Sequence, residues 1–308
     1  MGSFPLLHPG SPPLTPRLLC AGRVLTLERA VVMGVINVTP DSFSDGGQFG
    51  SVAEAVARGE EMVTQGARIL DVGGESTRPG ATPVALEEEL RRVLPIIEGL
   101  TARVGDAAIV SVDTSQPEVM RRAADAGAGM INDVRALRVP GALEAAASGS
   151  LGICLMHMLG EPPTMQQAPE YADVVGQVRD FLAERVRACI ELGIAHERLC
   201  VDPGFGFGKR LSHNLQLLRR LDAFASLGLP VLAGLSRKSM SGALLARGAG
   251  QRLRPAPQQR LAASLALACM ARLKGASIIR AHDVAATVDA LHVVDAVDGA
   301  GLADGEDD

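Results

Sequence analysis

Eight short apolar runs recur along the chain, and each one has a polar or charged residue at or near its C-terminal end. They span residues 31–38, 67–76, 107–114, 129–134, 151–158, 198–205, 230–236 and 277–283. Segments with helical periodicity separate them, as in ALEEELRRVLPIIEGL, where apolar residues repeat at helical spacing beside Glu–Arg pairs four residues apart. Eight alternating strand and helix units predict an α/β fold, a single (β/α)8 TIM barrel with a short irregular N-terminal extension.

The barrel occupies most of the 308 residues. We expect an irregular N-terminal arm over 1–19, because it is rich in proline and lacks any strand or helix pattern. The barrel then extends over 20–298, and residues 299–308 form an acidic flexible tail. The composition agrees, since 47% hydrophobic residues suit strands that are buried on both faces.

Charge and cysteine usage exclude several classes of partner. The formal net charge is -5 and the sequence pI is about 5.7, so no global field favours nucleic acid. No run of about 18 uncharged apolar residues exists, which argues against a membrane span. The start of the chain is a poor signal peptide, and five scattered cysteines without a CxxC pair are typical of a reducing compartment. We therefore expect a cytoplasmic protein.

Polar side chains at the ends of the runs form the candidate site, because TIM barrels bind substrates at the C-terminal ends of their strands. A single Asp or Asn there more often caps the following helix, but a full ring favours an active site. The candidates are Asn37, Asp71, Glu75, Thr77, Asp113, Asn132, His157, Asp202, Ser236, Lys238, Arg280 and His282.

The last run predicts an anion site. Arg280 and His282 alternate around Ala281, so they share one face of the strand if it extends that far. Asn37 ends the first strand, which neighbours the eighth when the barrel closes. Closure therefore brings two cationic groups and an amide together at one seam.

The loops that follow the first two strands, over residues 39–48 and 77–83, are rich in Gly, Pro, Ser and Asp. The first also carries a rare aromatic residue, Phe43, in a chain that is 3% aromatic. Loops of this kind at one barrel mouth suggest lids that close over ligands. A surface turn whose phenylalanines pack back onto the barrel is a serious alternative.

Several ordered segments together indicate a family. VMGVINVTPDSFSDGG, DVGGESTRPG, SVDTS, INDV, MHM with PxTMQ, VDPGFGFGK, LSRKSM and IIRAHDV resemble, in order and spacing, the motifs of the dihydropteroate synthase family, over residues 20 to 298. The resemblance implies a folate-pathway enzyme that condenses 6-hydroxymethyl-7,8-dihydropterin pyrophosphate with p-aminobenzoate, giving 7,8-dihydropteroate and pyrophosphate by an SN1-like path. It also implies Mg2+ and a homodimer.

The resemblance also implies roles for individual residues. Those expected at the reacting centre are Asn37, Asp113, Lys238, Arg280 and His282. Those expected to bind the pterin are Asp113, Asn132, Met156, Asp202, Phe207 and Lys238. Those expected at the diphosphate are Asn37, Thr77, Arg280 and His282, with Asn37 also a Mg2+ ligand. Those expected at p-aminobenzoate or in the mobile loops are Thr39, Pro40, Asp41, Ser42, Phe43, Thr77, Arg78, Pro79, Ser236, Lys238 and Ser239.

Other interpretations stay open at this point. A pterin-binding barrel of the methyltetrahydrofolate methyltransferase kind would share Asp113, Asn132 and Asp202, but would not need Arg280 and His282. A non-catalytic paralogue would keep only the fold. The segment 241–260 is longer and richer in Arg and Pro than in many relatives, and we expect it to leave the catalytic residues untouched. The segment LAASLALACMARL is apolar nearly all round and forms either a subunit interface or a helix covered by its neighbours.

Overall fold

The computed structural model describes residues 16–38, 50–76, 84–161, 164–166, 168–248, 250 and 254–299. The strands in this part of the chain are β1 (Arg17–Cys20), β2 (Arg23–Thr26), β3 (Val31–Asn37), β4 (Ala67–Gly73), β5 (Ile109–Asp113), β6 (Met130–Asp133), β7 (Gly152–Met156), β8 (Leu199–Asp202), β9 (Val231–Gly234) and β10 (Ala276–Ala281). The α-helices are α1 (Gly50–Thr64), α2 (Leu86–Val104), α3 (Pro117–Asp125), α4 (Ala142–Ser148), α5 (Val174–Glu191), α6 (Leu211–Arg219), α7 (Ser239–Gly248), α8 (Leu261–Leu273) and α9 (Val284–Val297).

Strands β3 to β10 form a closed parallel barrel, which confirms the predicted fold. Each strand pairs with the next along the chain, and β10 closes the barrel by pairing with β3. Helices lie between successive strands as the periodicity predicted. Two of them, α7 and α8, separate β9 from β10. The eight predicted runs therefore correspond to the eight barrel strands.

The helices cover the barrel with apolar faces. Helix α2 buries Val93, Ile96, Ile97 and Leu100 completely, while Glu88 on its outer side pairs with neighbouring arginines. This division between faces is what the period of 3.6 residues predicts for a helix packed on one side. Within the described residues, no helix combines the length and the apolar character that crossing a bilayer requires.

The interior of the barrel is built in layers, because alternate side chains of every strand point inward. The lowest layer is apolar and takes one side chain from each barrel strand: Met33, Ile69, Ile109, Met130, Cys154, Cys200, Leu232 and Ile278. Two residues further along the strands stand Val35, Asp71, Ser111, Asn132, Met156, Asp202, Gly234 and Arg280. The change from an apolar to a polar layer places the candidate site directly above the apolar layer.

A β-hairpin closes the barrel from below. Strands β1 and β2 pair antiparallel, and Leu18, Cys20, Leu25 and Leu27 join the apolar layer. A Cβ at Gly152 would lie 2.7 Å from the sulfur of Cys20, so the hairpin approaches the start of β7 closely. The predicted irregular arm over 1–19 is therefore wrong at its last residues, since β1 crosses the expected boundary. Burial of the hairpin's apolar side chains stabilises strands too short to stand alone.

Candidate active site

Asp71 lies at the centre of a buried hydrogen-bond network on the polar layer. One carboxylate oxygen accepts from Ser111 Oγ at 2.8 Å, and the other accepts from Asn132 Nδ2 at 2.9 Å and from Arg280 Nε at 2.7 Å. The side chain of Asp71 is fully buried. A buried carboxylate is stable only when its lone pairs are satisfied in this way. Asp71 therefore fixes the orientation of both Asn132 and Arg280.

Arg280 bridges two carboxylates. Its Nη2 donates to Asp113 Oδ2 at 3.0 Å while its Nε donates to Asp71. Burial alone would lower the pKa of Arg280, but the two carboxylates outweigh it and the pKa is raised. Burial, followed by repulsion from Asp71, raises the pKa of Asp113 to about 8 despite the nearby guanidinium. Arg280, which is expected at the diphosphate, therefore also contacts Asp113, which is expected at the pterin.

Asp202 and Lys238 occupy the opposite wall. Asp202, at the end of β8, accepts from the backbone N–H of Gly204 at 2.7 Å, and burial raises its pKa while Lys238 opposes the rise. The Nζ of Lys238 donates to the carbonyl of Phe205 and lies 4.6 Å from the centre of the Phe207 ring. Burial lowers the pKa of Lys238 to about 8. Burial thus shifts the pKa of both the Asp202 carboxyl and the Lys238 amine toward the neutral form.

A small apolar patch flanks the polar groups. Met156 packs with Val134, Met158 and Met165, and Phe207 lies against the same cluster. The structure therefore brings Met156 and Phe207 together, as expected for two residues that flank one ligand. Such a surface offers a flat ring dispersion contacts without competing hydrogen bonds.

The residues predicted to bind an anion lie at the seam between β3 and β10. Gly34 lies opposite Ala281 in the register, so Asn37 stands three residues beyond this level on the neighbouring strand. His282 Nδ1 lies 3.0 Å from Ser236 Oγ, which also accepts from the His282 backbone N–H at 3.2 Å. Ser236, which the resemblance places at the arylamine side, therefore holds the imidazole in one orientation.

The loop after β9 is anchored by two arginines. Arg237 has a positive φ of 57° and forms an ion pair with Asp283 after β10. Arg260 donates to the carbonyls of Arg237 at 2.9 Å and Lys238 at 3.3 Å. The segment 241–260 therefore contacts this loop through its last residue, Arg260. This residue fixes the main chain that carries Lys238.

Some predicted residues lie outside the described part of the chain. These are Thr39, Pro40, Asp41, Ser42, Phe43, Thr77, Arg78 and Pro79. Ser239 is described and is the first residue of α7, as expected from the sequence.

Sequence reasoning gave too little weight to two groups. Asp71 was only one member of the candidate ring, and Lys209, which is 3% exposed, received no role. The signal for Asp71 was available, because a charged residue between Leu70 and Val72 inside an apolar strand must have a partner.

Comparisons with known proteins agree with this geometry. The family described as "Pterin binding enzyme" matches residues 33–282. The dihydropteroate synthase of Escherichia coli (strain K12) is 52% identical over 280 residues, which cover 91% of this chain and 96% of that protein. The structure of Xanthomonas albilineans dihydropteroate synthase with 4-aminobenzoic acid has 55% identity and a TM-score of 0.85, and the match covers 92% of this chain and 98% of that one. A complex of the enzyme from the same organism with 7,8-dihydropteroate has 50% identity and a TM-score of 0.80, with 92% and 99% covered.

Proposed function

The chain belongs to the dihydropteroate synthases, within the pterin-binding enzymes, and we propose how its described residues divide the work of that reaction. The reaction joins 6-hydroxymethyl-7,8-dihydropterin pyrophosphate to p-aminobenzoate and gives 7,8-dihydropteroate and pyrophosphate. The observation that carries the assignment of roles is the buried network of Asp71, Asp113, Asn132 and Arg280 above an apolar floor. It provides charged and amide groups for a polar heterocycle in a place that excludes bulk water.

The pterin is assigned to Asp113, Asn132, Asp202 and Lys238. A pterin edge presents N–H donors beside ring acceptors, so a matching pocket needs carboxylates, an amide and a cation. The two aspartates accept from N–H groups, and the amide of Asn132 is aimed by its bond to Asp71. Met156 and Phe207 flank the ring. Burial strengthens each of these hydrogen bonds because water cannot compete for the same groups.

The diphosphate is assigned to the seam, with Arg280, His282 and Asn37. Arg280 stands between the two regions, so it links pterin binding to departure of the leaving group. His282 turns Nδ1 toward Ser236, and a protonated Nε2 is the ring donor assigned to the diphosphate. Both groups stabilise charge that grows on the diphosphate as the C–O bond breaks.

Mg2+ fits the same place. The amide of Asn37 supplies a hard oxygen ligand, and its half-buried side chain makes no hydrogen bond to the other described residues. Mg2+ commonly binds proteins through one or two such ligands and completes its shell with phosphate oxygens and water. When bound, it would supply further charge stabilisation for the departing diphosphate. The protein's part is to hold Asn37 at the seam beside Arg280.

The arylamine is assigned to the mouth near Ser239 and Lys238. Ser239 begins α7, so the free N–H groups of the first helical turn attract the carboxylate of p-aminobenzoate. No side chain is required as a nucleophile, because the aryl amine attacks the methylene carbon itself. We propose an SN1-like path, in which the carbon becomes cationic before attack and the buried pocket protects it from water.

The experiment that tests the assignment is a turnover assay with the purified full chain. Pyrophosphate and 7,8-dihydropteroate should form in equal amounts when the pterin pyrophosphate, p-aminobenzoate and Mg2+ are all present. Omission of p-aminobenzoate should stop pyrophosphate release. Release that does not depend on p-aminobenzoate would indicate a hydrolase, and absence of turnover would overturn the proposal.

We also propose a homodimer that acts in the cytoplasm. Helices α8 and α9 carry exposed large apolar side chains, with Met270 at 50%, Leu273 at 59% and Val293 at 65% exposure. A second copy of the same face would remove this surface from water. Sedimentation of the wild type as a dimer and of Met270→Asp as a monomer would support this interface. A monomeric wild type at micromolar concentration would contradict it.

A further inference from the structure

Lysine is rare in this chain. Arginine and lysine together number 30, but only Lys209, Lys238 and Lys274 are lysines. A sequence that uses arginine almost everywhere has kept an ammonium at Lys238, in the proposed pterin site, and at Lys209, seven residues after Asp202. The two cations are not interchangeable, since an ammonium is a compact point charge and a guanidinium is a planar fork.

The ammonium of Lys209 is buried among neutral acceptors. Its Nζ lies 2.9 Å from His157 Nδ1 and donates to the carbonyls of Gly204 at 2.9 Å, Phe207 at 3.0 Å and His157 at 3.3 Å. Burial lowers the pKa of Lys209 well below its ordinary value, and the negative charge of Asp202 opposes this shift although the two side chains form no ion pair. Burial, followed by repulsion from Lys209, lowers the pKa of His157 to about 2. The imidazole is therefore neutral, and it accepts at Nδ1 and carries its proton on Nε2.

These acceptors belong to two different mouth segments. His157 follows β7, while Gly204 and Phe207 belong to the turn 204–208 that follows β8. Asn214 of α6 holds the same turn from outside, where its Oδ1 accepts from the Gly206 N–H at 2.7 Å. The turn is thus held by two buried side chains, those of Lys209 and Asn214. The Gly204 carbonyl also accepts from the Phe207 N–H at 3.1 Å within the turn, and the ammonium adds a link from this carbonyl to the end of β7.

The turn 204–208 positions the side chain of Lys238. The carbonyl of Phe205 accepts from Lys238 Nζ, and the Phe207 ring lies 4.6 Å from the same atom. Phe205 is fully buried, so its peptide cannot adjust on its own. A shift of the turn would therefore move both contacts of Lys238 at once.

We propose that Lys209 is a positioning residue of the pterin site: its ammonium ties the turn 204–208 to His157 and thereby holds Lys238 and Phe207 in register with the ligand. The inference rests on the proposed role of Lys238 in binding the pterin. Arginine cannot take the same place, because a planar guanidinium does not fit four acceptors that surround one point.

The test compares Lys209→Met, Lys238→Met and Lys274→Met in the full chain. Lys274 follows α8, outside the proposed machinery, and is the matched control. Binding of 6-hydroxymethylpterin is followed by its ring fluorescence. We expect Lys209→Met to weaken binding at least tenfold, Lys209→Arg to fail to restore it, and Lys274→Met to leave it unchanged. Unchanged binding in Lys238→Met would contradict the proposed function of Lys238. Unchanged binding in Lys209→Met together with weakened binding in Lys238→Met would contradict the further inference.

A second measurement separates positioning from general stabilisation. Three lysines give three side-chain signals in protein labelled with 13C and 15N lysine, and each methionine variant removes one of them. In Lys209→Met the signal of Lys238 should shift, whereas in Lys274→Met it should not. An unshifted Lys238 signal overturns the proposal.

The wild type provides the answer if Lys209→Met does not fold. Its Lys209 ammonium should be rigid and exchange protons slowly with water, because it is buried and fully hydrogen-bonded. A mobile, rapidly exchanging Lys209 ammonium would overturn the proposal without any variant.

Discussion

Replacement of Asp71 by asparagine should change the protonation of Asp113 without a change of shape. Asparagine is isosteric with aspartate, and its oxygen can still accept from Asn132 and Arg280. Its Nδ2 can then donate to Ser111, whose hydroxyl accepts as readily as it donates. The substitution therefore removes one negative charge and preserves the hydrogen-bonded framework.

The size of the effect follows from the geometry of the bridge. Arg280 donates to Asp71 at 2.7 Å and to Asp113 at 3.0 Å, so the two carboxylates are close to each other. At a separation of roughly 6 Å and an effective dielectric constant of about 20, they repel by about 3 kcal/mol, or about two pKa units. Asp71→Asn removes this repulsion and leaves Arg280 to Asp113 alone. Both changes lower the pKa of Asp113 from its value of about 8.

The assay is the pH dependence of 6-hydroxymethylpterin binding. If Asp113 accepts from the pterin as a carboxylate, wild-type affinity rises with pH and levels off above about 8. In Asp71→Asn the midpoint of this rise should lie about one to two pH units lower. The contribution of Asp113 to stability should change with pH in the opposite sense. Between about pH 4 and the folded-state pKa of Asp113, the folded state holds a proton that the unfolded chain has lost, so this residue's contribution to stability falls as pH rises.

Asp71→Asn lowers the upper end of this pH range, because it lowers the folded-state pKa of Asp113. The variant should therefore lose less stability than the wild type between about pH 5 and pH 8. The control is Asp295→Asn, which removes a buried carboxylate paired with Arg272 at 2.8 Å on the helical shell. It should leave the pH midpoint of pterin binding unchanged. An unchanged or higher midpoint in Asp71→Asn would refute the reasoning.

Three further outcomes can be checked. Gly204→Ala should destabilise the fold by more than about 3 kcal/mol in denaturant unfolding, because its Cβ would lie 1.9 Å from the His157 carbonyl oxygen at a φ of +70°, whereas Gly149→Ala, with nothing within 4 Å, should cost less than about 1 kcal/mol. Ser236→Ala removes the hydroxyl beside His282 Nδ1 and should lower kcat/KM for the pterin pyrophosphate about tenfold, a loss of about 1.4 kcal/mol, while binding of 6-hydroxymethylpterin stays the same. Chelation of Mg2+ should abolish turnover and leave 6-hydroxymethylpterin binding intact; weaker pterin binding would argue against a metal held at the diphosphate.

The sequence was sufficient for the barrel and for the location of its site. Strand positions follow from apolar runs, and the inward side of each strand follows from alternation, as in the series Met33, Val35 and Asn37. Because all strands are parallel, their polar ends must meet at one mouth. The location of the site therefore follows from strand order and direction alone.

Other features depend on contacts that sequence patterns do not encode. Arg280 contacts both Asp71 and Asp113 because its side chain reaches across the barrel. Lys209 binds main-chain carbonyls, which leave no trace in residue identity. The hairpin that includes Leu18 and Leu25 was missed because four-residue strands beside a proline-rich stretch have no distinct period. Each of these contacts becomes visible only when distant segments are placed side by side.

The seam of the barrel also bears on how the enzyme is made. Arg280 and Asp71 are 209 positions apart, so the ribosome produces both carboxylates of the site long before their counter-ion. Until β10 docks between β9 and β3, Asp71 and Asp113 face each other without it. Closure of the ring is then also the step that brings Arg280 to the two carboxylates. We expect activity during refolding to appear with ring closure and not with the formation of secondary structure.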